Sequence, residues 1–465
     1  MNSKDIGVVL RKNKQWSLVM EVARRVKKAG GRALVVGGAV RDALGIVQRT
    51  TYHVQRLKIK DFDLEVYGIN KPALKHLLLD VVRGTLYVKQ GFVLKEVGQQ
   101  FGVFNLGGVE IAIPRTDSRT RSGMGRKPQV VSQPDLTFEQ ASKRRDLTIN
   151  AMGFDPLTDE LLDANNGQRD LKSGLLRAVD EKSFGDDPLR VLRVMQFAGR
   201  FGFKVDAKTI ELSRKISLKH LAKERVGEEW TKLLFKADRP SVGLEVGKKL
   251  GIFAKLHPAL EHLSAADWNA TMRNVDRISL FCHSCVGENP EKVFQFVVLC
   301  HRMTPRDTKA FLKQINCSNK ETDQVLGLLK VMSGIKSKKM TNELVRRVSY
   351  RVSQVDDGMT LNKIMPLVEV IVGHRQLQEL TLIAKKLHIF NSAPVNLLSG
   401  KDLLHLGVQP GKKMGELLQK AFNRQLKGVF DDKRHKPQRE KALEWVTSVI
   451  SSGVGRSREI SMQNN

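Results

Sequence analysis

Two aspartates, Asp61 and Asp63, stand one residue apart around the apolar run Phe62-Asp63-Leu64-Glu65-Val66-Tyr67. Residues two apart in a strand share a face, so both carboxylates point the same way. Side by side they repel unless something positive lies between them. Mg²⁺ is the usual partner, because it prefers hard oxygen ligands and takes substrate phosphates into its shell. Upstream, Leu34-Val35-Val36-Gly37-Gly38-Ala39-Val40-Arg41-Asp42 reads as a strand, a tight turn and a helix start. Gly37 and Gly38 let backbone N–H groups and a helix N-terminus come close to phosphate oxygens. A plain corner between strand and helix explains the turn alone equally well. Followed by the paired aspartates, it reads as metal-assisted chemistry on a nucleoside triphosphate.

The elements that must position these residues are legible in outline. Helical spacing from Gln15 to Ala29 runs through Trp16, Val19, Val22 and Val26, and the strand into Gly37 follows. A polar, basic connector, Ile46 to Lys60, leads to the aspartates, and a helix is expected from Lys71 to Val82. Strand-like stretches come next at Thr85 to Val88, Gly102 to Leu106 and Val109 to Arg115, with Glu110 a charge at the edge of the last. Thr116 to Asp135 is rich in Arg, Ser, Gly, Lys and Pro and reads as a mobile loop. In Asp186-Asp187-Pro188-Leu189-Arg190-Val191-Leu192-Arg193, aspartate then proline reads as an N-cap and first helical position. Asp187 and Arg190 then share a face, with Arg193 one turn on, while Val191, Met195 and Ala198 face the core. An exposed ion pair between Asp187 and Arg190 is the plain reading of that spacing. From Leu212 onward the chain reads as mostly helical.

The formal net charge is +30, from 79 Lys and Arg against 49 Asp and Glu. These charges are spread along the chain, which suits a long polyanionic partner and a basic binding face. No apolar run is long enough to span a bilayer and no secretory h-region opens the chain, so a cytoplasmic protein without membrane contact is expected. Cys282 and Cys285 form one C-x-x-C, but the second closely spaced pair of a zinc site is missing. Buried thiols in a reducing compartment explain all four cysteines.

GGAVRD followed by DFDLEVYG resembles the signature of the nucleotidyltransferases that add CCA to tRNA 3′ ends and of bacterial poly(A) polymerases. These form the bacterial and eukaryotic class within the polymerase-beta-like superfamily. Lys143-Arg144-Arg145-Asp146-Leu147-Thr148-Ile149-Asn150-Ala151 resembles the family's RRDxTxNA motif, and Asp186 to Arg190 its EDxxR motif. Lys223 to Lys232 is similar to the ERxxxE element that buttresses the base-reading helix, and Leu398 to Gly415 to the family's tail.

The resemblance implies an α+β chain: a nucleotidyltransferase head with a small mixed sheet (1–155), then a helical neck that reads the base (156–240), a helical body (241–395) and a tail (396–450). Residues 451–465 are expected to be disordered. It implies two Mg²⁺ ions held by Asp61 and Asp63, roughly 3.5–4 Å apart, with Glu110 completing the catalytic acids. Gly37, Gly38, Arg41, Asp42, Arg145, Asp146, Asn150, Asp187, Arg190 and Arg193 would bind the nucleotide, Asp146 at the ribose and Asp187 with Arg190 at the base. The substrates would be CTP, ATP and the acceptor end of tRNA. Two departures stand out: Asp186 replaces a glutamate, and Gln196 stands where a further arginine is expected. Phe294 to His301 faintly resembles the helix bearing the metal-binding His-Asp pair of HD phosphohydrolases, but Arg302 follows His301 and breaks the pair. An A-adding enzyme, a poly(A) polymerase and a catalytically inactive RNA-binding protein are the alternatives.

Overall fold

Strand β1 (Arg32–Val36) is apolar on both faces, and from Ala33 to Val36 every residue is buried. A short run of this kind belongs in the middle of a sheet covered on both sides. A computed structural model of the chain describes residues 3–48, 59, 61–83, 93–97, 102–118, 129–284, 291–336, 339–432, 434 and 436–462. It forms two compact units, Met1–His262 and Leu263–Asn465.

In the first unit β1 lies among β2 (Asp63–Tyr67), β3 (Leu94–Val97), β4 (Val103–Leu106), β5 (Val109–Ala112), β8 (Gly153–Phe154) and β9 (Leu161–Leu162), in the order β3-β4-β5-β2-β1-β8-β9. β1 and β2 run antiparallel and set Val36 opposite Asp63. β2 and β5 run parallel and set Asp63 opposite Glu110. The expected small mixed sheet is therefore present. Helix α1 (Trp16–Lys28) buries Trp16, Leu18, Val19, Val22 and Val26, and Trp16 meets Phe62 with ring centroids 5.8 Å apart. Helix α2 (Gly38–Gln48) leaves the end of β1 through the turn at Gly37. Phe62 is fully buried between the two exposed aspartates, so the alternation expected of a strand holds where the chemistry needs it.

Two expectations change. Thr116 to Asp135 is not loop throughout: β6 (Arg115–Ser118) and β7 (Gln129–Ser132) pair antiparallel, Arg115 opposite Ser132. The pairing of Thr116 with Val131 and of Asp117 with Val130 draws on β-branched residues that the surrounding polar composition conceals. The chain's last helix, Arg439–Met462, also continues past Ser451, where order was expected to end. Once nucleated, a helix extends one residue at a time at little cost. The expected strand at 85–88 lies outside the described residues; of the expected connector from Ile46 to Lys60, residues 46–48 form the end of α2 instead, and the rest except Ile59 lies outside the described residues.

Helix α3 (Leu189–Phe201) buries Val191, Met195 and Ala198, as its periodicity predicts, and packs against α4 (Lys223–Lys236) and α5 (Pro240–Lys249). Gly199 makes the second packing close. A Cβ there would fall 3.3 Å from the Gly243 Cα and 2.4 Å from the Leu233 Cδ1. The helical neck of the first unit thus holds one face of α3 fixed and leaves the opposite face to the site.

The second unit is helical. Leu398, Leu403, Val408, Leu417, Ala421, Phe430, Ala442 and Val446 give its C-terminal part a core of its own. His301 donates from Nδ1 to the Val298 carbonyl (2.6 Å) and accepts at Nε2 from Arg302 (3.1 Å), so both ring nitrogens are engaged. Burial, helped by the charges of Arg302 and Lys336, pushes its pKa down to about 4. The broken HD pair is thus a neutral histidine with both ring nitrogens hydrogen-bonded. Cys285 and the side chain of Cys282 lie outside the described residues. Cys300 and Cys317 are free, and burial raises both thiols, Cys317 to about 12.

Candidate active site

A cleft of about 450 Å³ opens in the first unit, lined by Gly37, Gly38 and Arg41 from the β1 turn, by Asp63, and by Arg145, Asp146 and Asn150. Its other wall is α3 and α4 with the turn before α3, which bring Asp187, Arg190, Arg193, Gln196, Phe197, Arg200, Arg225, Lys232 and Lys236. Eight cations and three carboxylates line it, a balance that favours a polyanion the size of a nucleotide.

Gly37 turns the chain at φ +73°, a conformation that costs a residue with a Cβ. A Cβ there would stand 2.9 Å from an Nη atom of Arg145, so the missing side chain is the space in which that guanidinium lies. Gly37 accepts at its carbonyl from the Arg41 N–H (3.1 Å), which starts α2. Arg41 is buried and fully engaged. It donates to Asp42 Oδ1 (2.7 Å) and to Asn150 Oδ1 (2.6 Å), and lies over Phe197 and Phe201 at 5.3 and 5.0 Å. Asn150 in turn donates to Asp146 Oδ1 (3.0 Å), and Arg193 donates to Asp146 Oδ2 (2.6 Å). Asp42, Arg41, Asn150, Asp146 and Arg193 thus form one continuous chain across the cleft. Burial alone would raise the Asp146 pKa, but the Arg193 charge and these hydrogen bonds hold it below the ordinary carboxylate value. Asp42 acts through Arg41 and is not on the cleft wall.

Asp61, Asp63 and Glu110 are all exposed, and Asp63, opposite Glu110 in the sheet, lines the cleft. Asp63 nonetheless sits deep among protein atoms. Loss of surrounding water, then the charge of Glu110, pushes its carboxyl up to about 6, with Asp61 adding to this and Arg145 opposing it. Solvent reaches the carboxylate without fully hydrating it. Arg145 is steadied from behind by Glu65 (3.7 Å), which also accepts from the Tyr67 hydroxyl (2.7 Å).

The raised carboxyl has a measurable sign. A fold that raises a carboxylate pKa favours the protonated form; that contribution is full below the ordinary value near 4 and is lost as pH rises through about 6. Asp63→Asn is therefore expected to raise the melting temperature of metal-free protein at pH 7.5 and to lose this advantage near pH 4. Thermal unfolding in a chelator at both pH values checks it; an equal or lower melting temperature at pH 7.5 would show that Asp63 is not strained by its neighbours.

At the start of α3, Pro188 already has helical angles (φ −58°, ψ −19°) while Asp187 is extended and accepts from the Leu189 N–H (3.1 Å). Asp187 is thus the working N-cap with proline behind it, as expected. The expected pairing with Arg190 does not form. Asp187 Oδ2 accepts from Arg225 on α4 (2.7 Å), while Arg190 donates to the carbonyls of Ser183 (2.8 Å) and Arg144. Arg225 explains the difference: it approaches from another helix, which spacing along α3 alone does not reveal. Burial lowers the Arg190 pKa, and its backbone anchors fix the guanidinium in place.

Among the described residues no group of three or more His, Cys, Asp or Glu side chains stands ready to hold a metal ion. Two exposed carboxylates with substrate oxygens are nevertheless enough for Mg²⁺, which is seldom caged by protein alone. The raised Asp63 carboxyl marks a place where positive charge would be welcome. The donor set fits the ion.

Sequence reasoning missed Phe197, Phe201 and Arg200. Their signal was the i, i+4 spacing of 193, 197 and 201 and of 196 and 200, which placed two rings and two polar groups on the face holding Arg193.

Residues 33–177 match the poly A polymerase head domain, residues 202–263 the probable RNA- and SrmB-binding site of polymerase A, and residues 287–434 the putative domain 2 of tRNA nucleotidyltransferase. Three stretches of the chain thus match models of poly A polymerases and tRNA nucleotidyltransferases. Similar proteins include a multifunctional CCA protein of Psychromonas ingrahamii, 32% identical over 290 residues, which are 59% of this chain and 64% of the relative. Another, from Haemophilus ducreyi, is 36% identical over 239 residues, 49% of this chain and 51% of the relative. The chain thus spans less than two thirds of the length of these curated relatives. Among solved structures, apo form II of a CCA-adding enzyme superposes with a TM-score of 0.68 at 20% identity, covering 97% of this chain and 99% of that one. A Thermotoga maritima CCA-adding enzyme complexed with tRNA gives 0.62 at 21% identity, covering 96% and 98%. At these identities the likeness establishes the family fold, a mixed-sheet head followed by helices.

Proposed function

We propose that the chain is a template-independent RNA nucleotidyltransferase that adds CCA to tRNA 3′ ends from CTP and ATP. The observation that carries this is the parallel register of Asp63 with Glu110, at the mouth of a cleft lined by eight cations. Acids at the mouth and cations within suit one substrate, a triphosphate whose α-phosphate lies at the boundary. The tRNA 3′-oxygen attacks that phosphorus and pyrophosphate leaves. Mg²⁺ held by Asp61 and Asp63 would offset the charge that develops on the phosphoryl oxygens. Gly38 and Arg41 would bind the triphosphate beside Arg145. Asp146 would accept from the ribose hydroxyl, since a 2′-hydroxyl alone marks the ribonucleotide. Asp187 and Arg190 would read the base edge. The relatives are named as CCA proteins and CCA-adding enzymes, which supports the choice among the family's reactions. A cytoplasmic location goes with it; among the described residues no helix is long and apolar enough to cross a membrane.

The test is incorporation of radiolabelled CTP and ATP into a tRNA lacking its 3′ end. Addition of C, C and A in turn is expected. A alone would mean an A-adding enzyme, and a long A tract a poly(A) polymerase. No incorporation would leave an RNA-binding protein.

From Asn396 on the chain carries 13 Lys or Arg against 7 Asp or Glu, and we read this tail as a contact for the tRNA body. Lys412, Lys413, Lys420 and Lys427 are exposed there. Replacing each by Gln should weaken tRNA binding and lower the slope of log affinity against log salt by roughly one for every phosphate no longer neutralised, with nucleotide choice unchanged. Truncation before Leu397 should act in the same direction. Binding measured across a salt series decides; an unchanged slope would place the tail away from the RNA.

A further inference from the structure

Arg200 is a cleft cation that makes no ion pair or hydrogen bond among the described residues. Its guanidinium lies 5.2 Å over the Phe201 ring and 5.9 Å over Phe197. Arg41 covers the same two rings, which stack with centroids 5.6 Å apart and planes 9° from parallel. Arg193 lies over Phe197 as well, at 5.2 Å, so three guanidinium groups share one aromatic platform. The other arginines nearby are partnered: Arg41 by Asp42 and Asn150, Arg193 by Asp146. Among the described residues Arg200 has no carboxylate or carbonyl within hydrogen-bond reach. Burial, and then repulsion from Arg41, lowers its pKa to about 10. Asp42 and Glu229 oppose this only through their charges: Asp42 is paired with Arg41, and Glu229 accepts at Oε1 from Lys232 (2.8 Å).

A second observation points the same way. Gln196 lies one helical turn before Arg200, lines the same cleft and is 1% exposed, yet among the described residues its Nε2 has no partner. A buried amide donor left unpaired is costly and calls for an acceptor. Arg200 and Gln196 are thus two donors on one face of α3, and an anion satisfies both. Their place along α3 says which anion. Asp187 and Arg190 stand at the helix start, and Arg200 lies about 15 Å further along the axis. A nucleotide with its base at Asp187 carries its terminal phosphates to the far end of that span.

We propose that Arg200, with Gln196, seats the terminal phosphates of the incoming nucleoside triphosphate and so positions the pyrophosphate that leaves. The inference rests on the nucleotidyltransferase reading and names the part of the substrate that this end of the cleft takes. It answers the departure at Gln196: the amide at that position still serves the anion, as a neutral donor.

The test compares binding of CTP, CMP and inorganic pyrophosphate to the full chain in Mg²⁺, by calorimetry. Arg200→Gln should weaken CTP and pyrophosphate roughly tenfold or more, the weight of a charge-assisted hydrogen bond, and leave CMP within about twofold. Arg200→Lys should recover part of the loss, and Gln196→Leu should give a smaller loss of the same selectivity. If Arg200→Gln does not fold by its melting curve, Arg200→Lys and Gln196→Leu must still show the CTP-specific loss. Equal weakening of CTP and CMP, or unchanged CTP binding, would overturn the assignment while wild-type CCA addition stands. A wild-type protein that neither prefers CTP to CMP nor extends tRNA would overturn both readings.

Discussion

Replacing Asp61 or Asp63 by alanine is expected to abolish nucleotide addition and leave tRNA binding nearly intact. The two functions rest on opposite charges in different places. The acids stand exposed beside the cleft that Asp63 lines, whereas the exposed lysines that would meet the tRNA body lie in the tail. Metal assistance is worth several kcal/mol of transition-state stabilisation, so its loss should slow turnover by about a thousandfold or more. Glu110→Ala should cost less, because Glu110 acts on Asp63 through its charge. Incorporation at saturating Mg²⁺, run beside a tRNA binding curve, provides the measurement. Near-normal incorporation by either aspartate variant would remove these carboxylates from the chemistry.

The second large effect is expected at the other end of the cleft. Replacing both Asp187 and Arg190 by alanine should leave Asp63, Arg41 and Arg145 in place, since Asp63 is set by β2 and the side-chain bonds of the two arginines run to other residues. Turnover should become slow and indiscriminate, with UTP and GTP accepted beside CTP and ATP. Each well-made base contact is worth roughly 1–3 kcal/mol, so two confer discrimination of about tenfold to a thousandfold or more. The way each residue is anchored separates this from a structural role. Asp187 is held by Arg225 in a half-exposed pair, which is worth only about 0.2–1 kcal/mol of stability. Arg190 is buried, so its loss should also lower the melting temperature by releasing the carbonyls of Ser183 and Arg144. The deciding readout is therefore choice among four triphosphates on one tRNA primer, not stability. Retained preference for C and A in the double variant would end the template reading.

The acidic end of this site was legible because its geometry is local. Asp61, Phe62 and Asp63 alternate, the ring is buried, and the carboxylates fall on the open side as strand periodicity requires. The motif around Asn150 was legible as a pattern, but its work was not. That Asn150 bridges Arg41 to Asp146 depends on a three-residue turn, Thr148–Asn150, meeting a helix more than a hundred positions earlier. Phe197 and Phe201 were hidden for a similar reason. Two rings at helical spacing usually mean core, and only the arrival of Arg41 from the β1 turn makes them a seat for guanidinium groups. The β6–β7 hairpin was concealed in a polar, glycine-containing stretch whose strands draw strength from each other and not from composition.

The parallel register of β2 with β5 also bears on the order in which the head assembles. It joins segments far apart in the chain, and such pairings form late because loop-closure entropy must first be overcome. The juxtaposition of Asp63 with Glu110 therefore does not exist in a partly folded head; it is created by the closure of the sheet, against its own repulsion. Divalent cations held by Asp61 and Asp63 would bind the closed sheet and not the open one, and so would draw the folding equilibrium toward the finished head. Catalytic competence and completion of the sheet then arrive in the same step, and a head stalled with β5 undocked would hold tRNA without being able to extend it.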